Sequence, residues 1–339
     1  MAGMRRPSVR RALALGSSAF VAFAFASGGA GSSRVLHVAY VADAGTIDAS
    51  SPGRLMFEGF IRAVRQFHFD ARVVQVAPRA SWADALASFG KQRYDLIVGG
   101  TFIPAPVVAS VARQFPRSRF LAPDPAFGAI QHPPKNLEQL VFRVEQAGYL
   151  AGYLAGLIEK RAPGRDVVSA VGGVPTPPVN RYIAGYAAGA RKADPGIRVI
   201  IDYSHNFADP LKCRSPALSE IAKGSGVVFA VAGGCGIGAL RAAGEHHVWG
   251  VGVDVDQATV GPQILTSVLK RDDVGLYREL KALSDKKLTT GGVAYLGLRE
   301  GAVGLGKISP KIPRPFLHQL STLAEQISAG TIVVPTAIS

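Results

Sequence analysis

The chain has 339 residues, 48% of them hydrophobic and 18% charged, which suits two ordinary domains with a large core and excludes a disordered chain. Its formal net charge is +14, yet Arg5, Arg6, Arg10 and Arg11 stand in the first 33 residues. Without those four the balance is +10 (14 less 4), thinly spread with no long Lys/Arg block, so a solvated basic surface is expected rather than a nucleic-acid groove.

MAGMRRPSVRR is a positive leader, Ala12–Ala26 an apolar run of 15 residues, and FASGGAGSS a stretch of small residues. This is the three-part design of a secretory signal peptide, too short to span a bilayer. Residues 1–33 are therefore read as a signal peptide cleaved between Gly28 and Ser33, and the mature protein as periplasmic or extracellular. No cysteine follows the apolar run to carry a lipid anchor.

Residues 35–43 (VLHVAYVAD) then read as a buried strand. Helical periodicity follows over Phe57–Phe67, a strand over ARVVQVA, a helix over Trp82–Gln92 and a strand at YDLIVGG. Next come a helix over Val107–Gln114 and a strand RFLAPD ending at Asp124. Strand and helix alternating at this spacing predict a parallel sheet with right-handed crossovers.

The pattern restarts with strand LVFRV and a long helix EQAGYLAGYLAGLIEKR carrying small residues on one face. It continues through strand DVVSAVGGV, helix Asn180–Lys192, strand IRVIIDYS, helix Pro216–Lys223, strand GVVFAVAGG, helix Gly236–Glu245 and strand VWGVGVD. The fold class is α/β, with two units of similar plan. Ligands of open α/β sheets bind outside the carboxyl ends of the strands, which draws attention to Gly233, Gly234 and Asp254. The glycines of VAGGCGIGAL miss both the dinucleotide and the P-loop spacings.

Seven segments in order resemble one family. DAGTIDASSPGRLMFEG (43–59) is similar to a D-x-G-x-[IV]-[DN]-D-x-S-F-N-Q-x-x-[WF]-E-G motif. EQAGYLAGYLAG (145–156), YSHNFADPLK (203–212), VAGGCGIGAL (231–240), GVDVDQ (252–257), ILTSVLK (264–270) and GLREGAVGL (297–305) match further motifs. The family is the basic membrane protein, or purine-nucleoside-receptor-like, family: extracytoplasmic solute-binding proteins of ABC importers for nucleosides. The resemblance implies a type I periplasmic-binding-protein fold with two Rossmann-like lobes and a three-crossing hinge. Lobe 1 would comprise 34–144 with 263–289, and lobe 2 145–262 with 290–339. It implies a monomer that binds a nucleoside in the interlobe cleft and delivers it to a permease, with no cofactor, metal or nucleic acid.

Carried over position by position, the resemblance assigns Asp48 to hydrogen bonds with the base and matches Asp124 to the family's ligand-site acidic residue at the end of the fourth strand. Phe57 and Phe207 become the two aromatics that sandwich it, Gly233 or Gly234 a backbone contact, and Asp254 with Lys270 the pair that holds ribose hydroxyls. These residue types suit the task, since aromatic faces stack on a base and carboxylates accept strongly from ligand donors. The motif's D-K-S-F-N-Q is replaced here by Ala49-Ser50-Ser51-Pro52-Gly53-Arg54. That departure keeps open a receptor for a sugar or other small polar ligand, feeding a transporter or a sensor. An enzyme is not expected: the close pair Asp254 and Asp256 would point to opposite faces of a strand rather than converge on Ca²⁺, and no Ser/His/Asp elbow or zinc spacing occurs.

Cys213 and Cys235 stand where the family usually has glycine and threonine. Each follows a strand of the second unit, IRVIIDYS and GVVFAVAGG, and consecutive strands are often neighbours. A Cys213–Cys235 disulfide is therefore predicted in the oxidising compartment.

Overall fold

The computed structural model describes residues 34–43, 45, 47, 53–77, 81–101, 103–125, 129–162 and 166–338, together with the backbone of Phe23–Phe25. The expected leader and its cleavage window otherwise lie outside the described residues. The chain divides into two compact units, Met1–Val141 with Asp272–Ala294, and Phe142–Arg271 with Tyr295–Ser339.

Unit 1 is built on β2 (His37–Asp43), β3 (Asp70–Val76), β4 (Leu96–Gly99), β5 (Arg119–Pro123) and β6 (Leu137–Phe142). These pair in parallel in the order β3-β2-β4-β5-β6. The short β1 (Phe23–Phe25) lies antiparallel on β3, and β12 (Val293–Leu296) sits beside β6. Alternation along β2 splits the core. Val38, Tyr40 and Ala42 join Met56 and Phe60 of α1 (Arg54–Phe67) and Leu276 and Leu280 of α8 (Asp272–Ser284). Ala39 and Val41 join residues of α2 (Trp82–Lys91) and α3 (Ala105–Gln114). A central strand buried on both faces reads as a continuous apolar run, which is why VLHVAYVAD looks as it does.

Unit 2 repeats the order. β7 (Val167–Gly172), β8 (Arg198–Tyr203), β9 (Val227–Val231), β10 (Trp249–Asp254) and β11 (Ile264–Lys270) lie as β8-β7-β9-β10-β11, with β13 (Val303–Leu305) antiparallel on β11. Expectation grouped 263–289 with the first lobe. Because β11 pairs with β10, the chain returns to unit 1 only at Asp272, with the remaining changes of unit at Val141/Phe142 and Ala294/Tyr295.

Helices α4 (Val144–Glu159) and α5 (Pro177–Ala193) meet backbone to backbone. A Cβ at Gly152 would overlap the Tyr186 carbonyl, one at Gly185 the Glu145 carbonyl, and one at Gly189 the Tyr149 carbonyl. This accounts for the stripe of small residues seen in the sequence, since only glycine permits such an approach. Helices α6 (Pro210–Ala222) and α7 (Gly236–Glu245) contribute the buried Ala217, Ala239 and Leu240 to another cluster, with Val171, Val228 and Ala230 of the sheet.

Helix α6 begins six residues before the expected Pro216. Asp209 caps it, its carboxylate accepting from the Leu211 N–H at 2.9 Å, and Pro210 takes the first turn, where its missing N–H costs nothing. Pro216 is carried inside the helix. On the same helix Glu220 is fully buried, and burial pushes its carboxyl up to about 8 against the opposing influence of a nearby Ser169 hydroxyl.

Candidate functional site

In both units the strand order reverses beside the first strand, so the topological switch points fall between β2 and β4 and between β7 and β9. The carboxyl ends of such strands form the usual ligand crevice of an open α/β sheet.

The unit 2 rim is described throughout. β7 ends in Gly172-Gly173, and the Gly173 N–H donates to the Val231 carbonyl at the end of β9 (2.9 Å). The Phe207 ring lies over Gly173, where a Cβ would overlap it, and it remains 46% exposed. Its loop is fixed from several sides. The Asn206 side chain accepts from the Ala208 and Asp209 N–H groups, both at 2.7 Å, and the Phe207 carbonyl accepts from the Cys235 N–H at 3.0 Å. Gly233, with φ of 53°, opens the 3-10 turn Gly233–Cys235 beneath that carbonyl. An L side chain there would be strained.

A disulfide joins Cys213 to Cys235 with a Cα–Cα distance of 5.5 Å, both residues fully buried. The pairing is the one expected, but the route to it differs. β8 and β9 are not neighbours, because β7 lies between them. Cys213 reaches Cys235 from the first turn of α6, with both sulfurs beside the Ser204 hydroxyl.

Asp254 closes β10 with φ of 64° and is half-buried. Its carboxylate accepts from the Tyr182 hydroxyl at 2.6 Å, a partner that sequence reasoning missed. Tyr182 lies on the apolar stripe Val179, Tyr182, Ile183, Tyr186 of α5, which reads as core. The available signal was chemical: a buried tyrosine hydroxyl needs a partner. Lys270 ends β11, one residue beyond Leu269, which stands opposite Asp254. Its Nζ is 5.7 Å from the centre of the Phe142 ring.

In unit 1, Phe57 sits on the first turns of α1. It is half-buried, with its ring 5.8 Å from that of Tyr40 and packed on the core. Arg54, at the start of α1, donates to the Ile47 carbonyl (3.1 Å) and to Glu58 (2.8 Å). Asp124 follows β5 with φ of 50°, its N–H donating to the Leu140 carbonyl at 2.8 Å. Asp48 lies outside the described residues. The structure thus gathers Phe207, Gly233 and Gly234 at one switch point, sets Asp254 and Lys270 on adjoining strand ends, and holds Phe57 and Asp124 in unit 1.

Among the described residues, no group of three or more His, Cys, Asp or Glu could hold a metal ion, and no helix is long and apolar enough to cross a membrane. The arrangement offers an exposed aromatic face, backbone N–H groups and a fixed carboxylate, which are the parts of a binding surface.

Residues 36–337 match the family model described as Bmp, ABC transporter substrate-binding protein PnrA-like. The chain is 36% identical over 231 residues to Basic membrane protein B of Borrelia garinii subsp. bavariensis, an alignment covering 67% of this chain and 65% of that protein. It is 27% identical over 326 residues to the CD4+ T-cell-stimulating antigen of Listeria monocytogenes, covering 90% and 89% of the two chains. The fold is shared with an ABC transporter solute-binding protein from Aeropyrum pernix K1, at a TM-score of 0.72 and 22% identity over 88% of this chain and 94% of that one. A solute-binding protein from Conexibacter woesei superposes at a TM-score of 0.68 with 22% identity, over 90% of this chain and 100% of that one. These are type I periplasmic-binding folds, and the matched family consists of binding proteins that act outside the cytoplasm rather than enzymes. The chain belongs to the PnrA-like family of ABC transporter substrate-binding proteins.

Proposed function

We propose that this protein captures a purine nucleoside outside the cytoplasm and presents it, as a monomer, to the permease of an ABC importer. Export would depend on the leader at 1–33, and the two compact units would serve as its lobes. The observation that carries the ligand class is Phe207: a large aromatic left 46% exposed at the switch point of unit 2, on a loop tied down on several sides. An immobilised aromatic face suits a flat heterocycle, and stacking on a base is worth about 1–3 kcal/mol.

Phe57 is assigned the opposite face of the base, and Asp48 and Asp124 its N–H groups. Gly233 and Gly234 supply backbone contacts, while Asp254 and Lys270 take the ribose hydroxyls. A neutral ligand with several hydroxyl and N–H donors fits a set containing three carboxylates.

Calorimetric titration of the mature protein with inosine, guanosine, adenosine, cytidine and D-ribose tests this reading. Purine nucleosides are expected to bind more tightly than cytidine and far more tightly than ribose. Binding of ribose with no response to any nucleoside would overturn it in favour of a sugar receptor.

A further inference from the structure

We infer that Tyr182 is the positioning residue that gives this protein its selectivity for a ligand's sugar hydroxyls, acting through Asp254. The inference rests on the proposed assignment of Asp254 to the ribose.

The backbone at Asp254 is unusual. Its φ of 64° is left-handed, and the Val255 N–H donates to the Val253 carbonyl at 2.8 Å. Together these form a three-residue turn of the rare, strained sense. Strain of this kind persists only where the surroundings over-determine it, and it gathers at ligand sites.

Here the surroundings do so. The Gln257 side chain accepts from the Val253 N–H (2.9 Å), and the Ser267 hydroxyl accepts from the Gln257 N–H (3.0 Å). Asp256 is consumed locally, accepting from the N–H groups of Ala258 and Lys307, both at 3.1 Å. The segment after β10 is thereby anchored to β11 and to the chain beyond β13, and the Asp254 side chain has little freedom to shift with it.

The carboxylate itself is set by the Tyr182 hydroxyl, which donates to Oδ1 at 2.6 Å. Tyr182 is only 5% exposed, and its ring meets Phe229 edge-on at 6.4 Å. Its main-chain carbonyl lies so close to α4 that a Cβ at Gly148 would crowd it. The glycine-packed α4–α5 contact therefore fixes where the phenol stands, and the phenol fixes the rotation of the carboxylate.

A carboxylate offers about four acceptor sites on two oxygens. With Oδ1 engaged by the Tyr182 hydroxyl, Oδ2 is the oxygen left for ligand donors, held at one orientation. A site built around a directed acceptor penalises a ligand lacking the matching hydroxyl much more than a freely rotating acceptor does.

The test is Tyr182→Phe, titrated with inosine, 2′-deoxyinosine, 3′-deoxyinosine and hypoxanthine beside the parent protein and Asp254→Ala. Tyr182→Phe is expected to weaken inosine about tenfold and hypoxanthine less than twofold. The preference for inosine over at least one deoxy analogue should shrink about tenfold. In the Asp254→Ala background, Tyr182→Phe should add no further loss. Equal losses for all four compounds, or a full additional loss without Asp254, would make Tyr182 mere scaffold and overturn the inference. If the parent binds none of the nucleosides, the functional reading fails instead. A crystal structure of Tyr182→Phe then decides the inference alone: a carboxylate of Asp254 in a new or second rotamer supports it, and an unmoved one refutes it.

Discussion

The two units share a strand order, and in each the fourth strand ends in an aspartate with left-handed backbone: Asp124 after β5 at φ of 50°, and Asp254 on β10 at φ of 64°. Both pack rings into their cores, Tyr186 against Phe229 in unit 2, but they differ in where the candidate ligand aromatic stands. Unit 1 packs rings into its core, with Tyr40 against both Phe57 and Phe60, and Phe67 against Phe69 and Tyr277. Unit 2 brings α4 and α5 together over glycines and ties α6 to the Gly233–Cys235 turn by a disulfide. Its rim aromatic, Phe207, is left out of the core. Binding and stability should therefore separate in unit 2 and remain entangled in unit 1.

The strongest test of the glycine-packed half is Gly152→Val. A Cβ there overlaps the Tyr186 carbonyl, and backbone cannot step aside as a flexible side chain can. Overpacking of this kind costs about 1–3 kcal/mol and occasionally more. With backbone as the obstacle, a loss of about 4 kcal/mol is expected, lowering the thermal midpoint by roughly 10 °C. Gly304→Ala is the control, because nothing lies within 4 Å of its built Cβ. Equal midpoints for the two variants would show that α4 and α5 are not held by this contact.

The disulfide comes next in size. It closes a segment of 22 residues, and the chain-entropy model gives roughly 3 kcal/mol for a loop of this length. Replacing Cys213 and Cys235 together by Ala should lower the denaturation midpoint of oxidised protein accordingly. It should also loosen the Phe207 loop, seen as faster amide exchange at Cys235, whose N–H is bonded to the Phe207 carbonyl. Two alkylatable thiols in denatured, unreduced parent protein would show that the bond does not form.

The layout of strands and helices was legible because buried parallel strands leave continuous apolar runs and their crossover helices leave periodic ones. What misled was local chemistry with two meanings. Pro216 looks like a helix start but stands inside α6, because Asp209-Pro210 already provides a cap and a first turn. Ile264–Lys270 falls in the stretch expected to belong to lobe 1, and only its pairing with β10 shows which unit owns it. The candidate residues Phe207, Gly233, Gly234 and Asp254 could be named from motifs. Tyr182 could not, since it meets Asp254 across 72 positions of sequence and no local pattern encodes such a contact. The disulfide was named correctly although the strands invoked for it are not adjacent, because the first turn of α6 carries Cys213 to the Gly233–Cys235 turn.

The smallest stability effect expected is the most informative about the comparison. Phe207→Ala removes a ring that is 46% exposed, and surface substitutions away from special features usually stay within about 0.5 kcal/mol. The backbone contacts of its loop, through Asn206 and the Phe207 carbonyl, do not depend on the ring. Phe57→Ala, by contrast, removes a ring packed on Tyr40 and the α1 core. Because Phe57 is only half-buried, its loss should fall somewhat below the 3–5 kcal/mol typical of a fully buried phenylalanine, at about 2 kcal/mol. Thermal melts and inosine titrations on the two variants give a two-by-two outcome. Phe207→Ala should melt with the parent yet weaken inosine at least tenfold, whereas Phe57→Ala should lose both stability and affinity. If Phe207→Ala melts early, the ring is structural after all, and its exposure at the switch point is no guide to the ligand. If it melts normally and binds inosine as the parent does, the aromatic assignment in unit 2 is wrong while the fold argument stands.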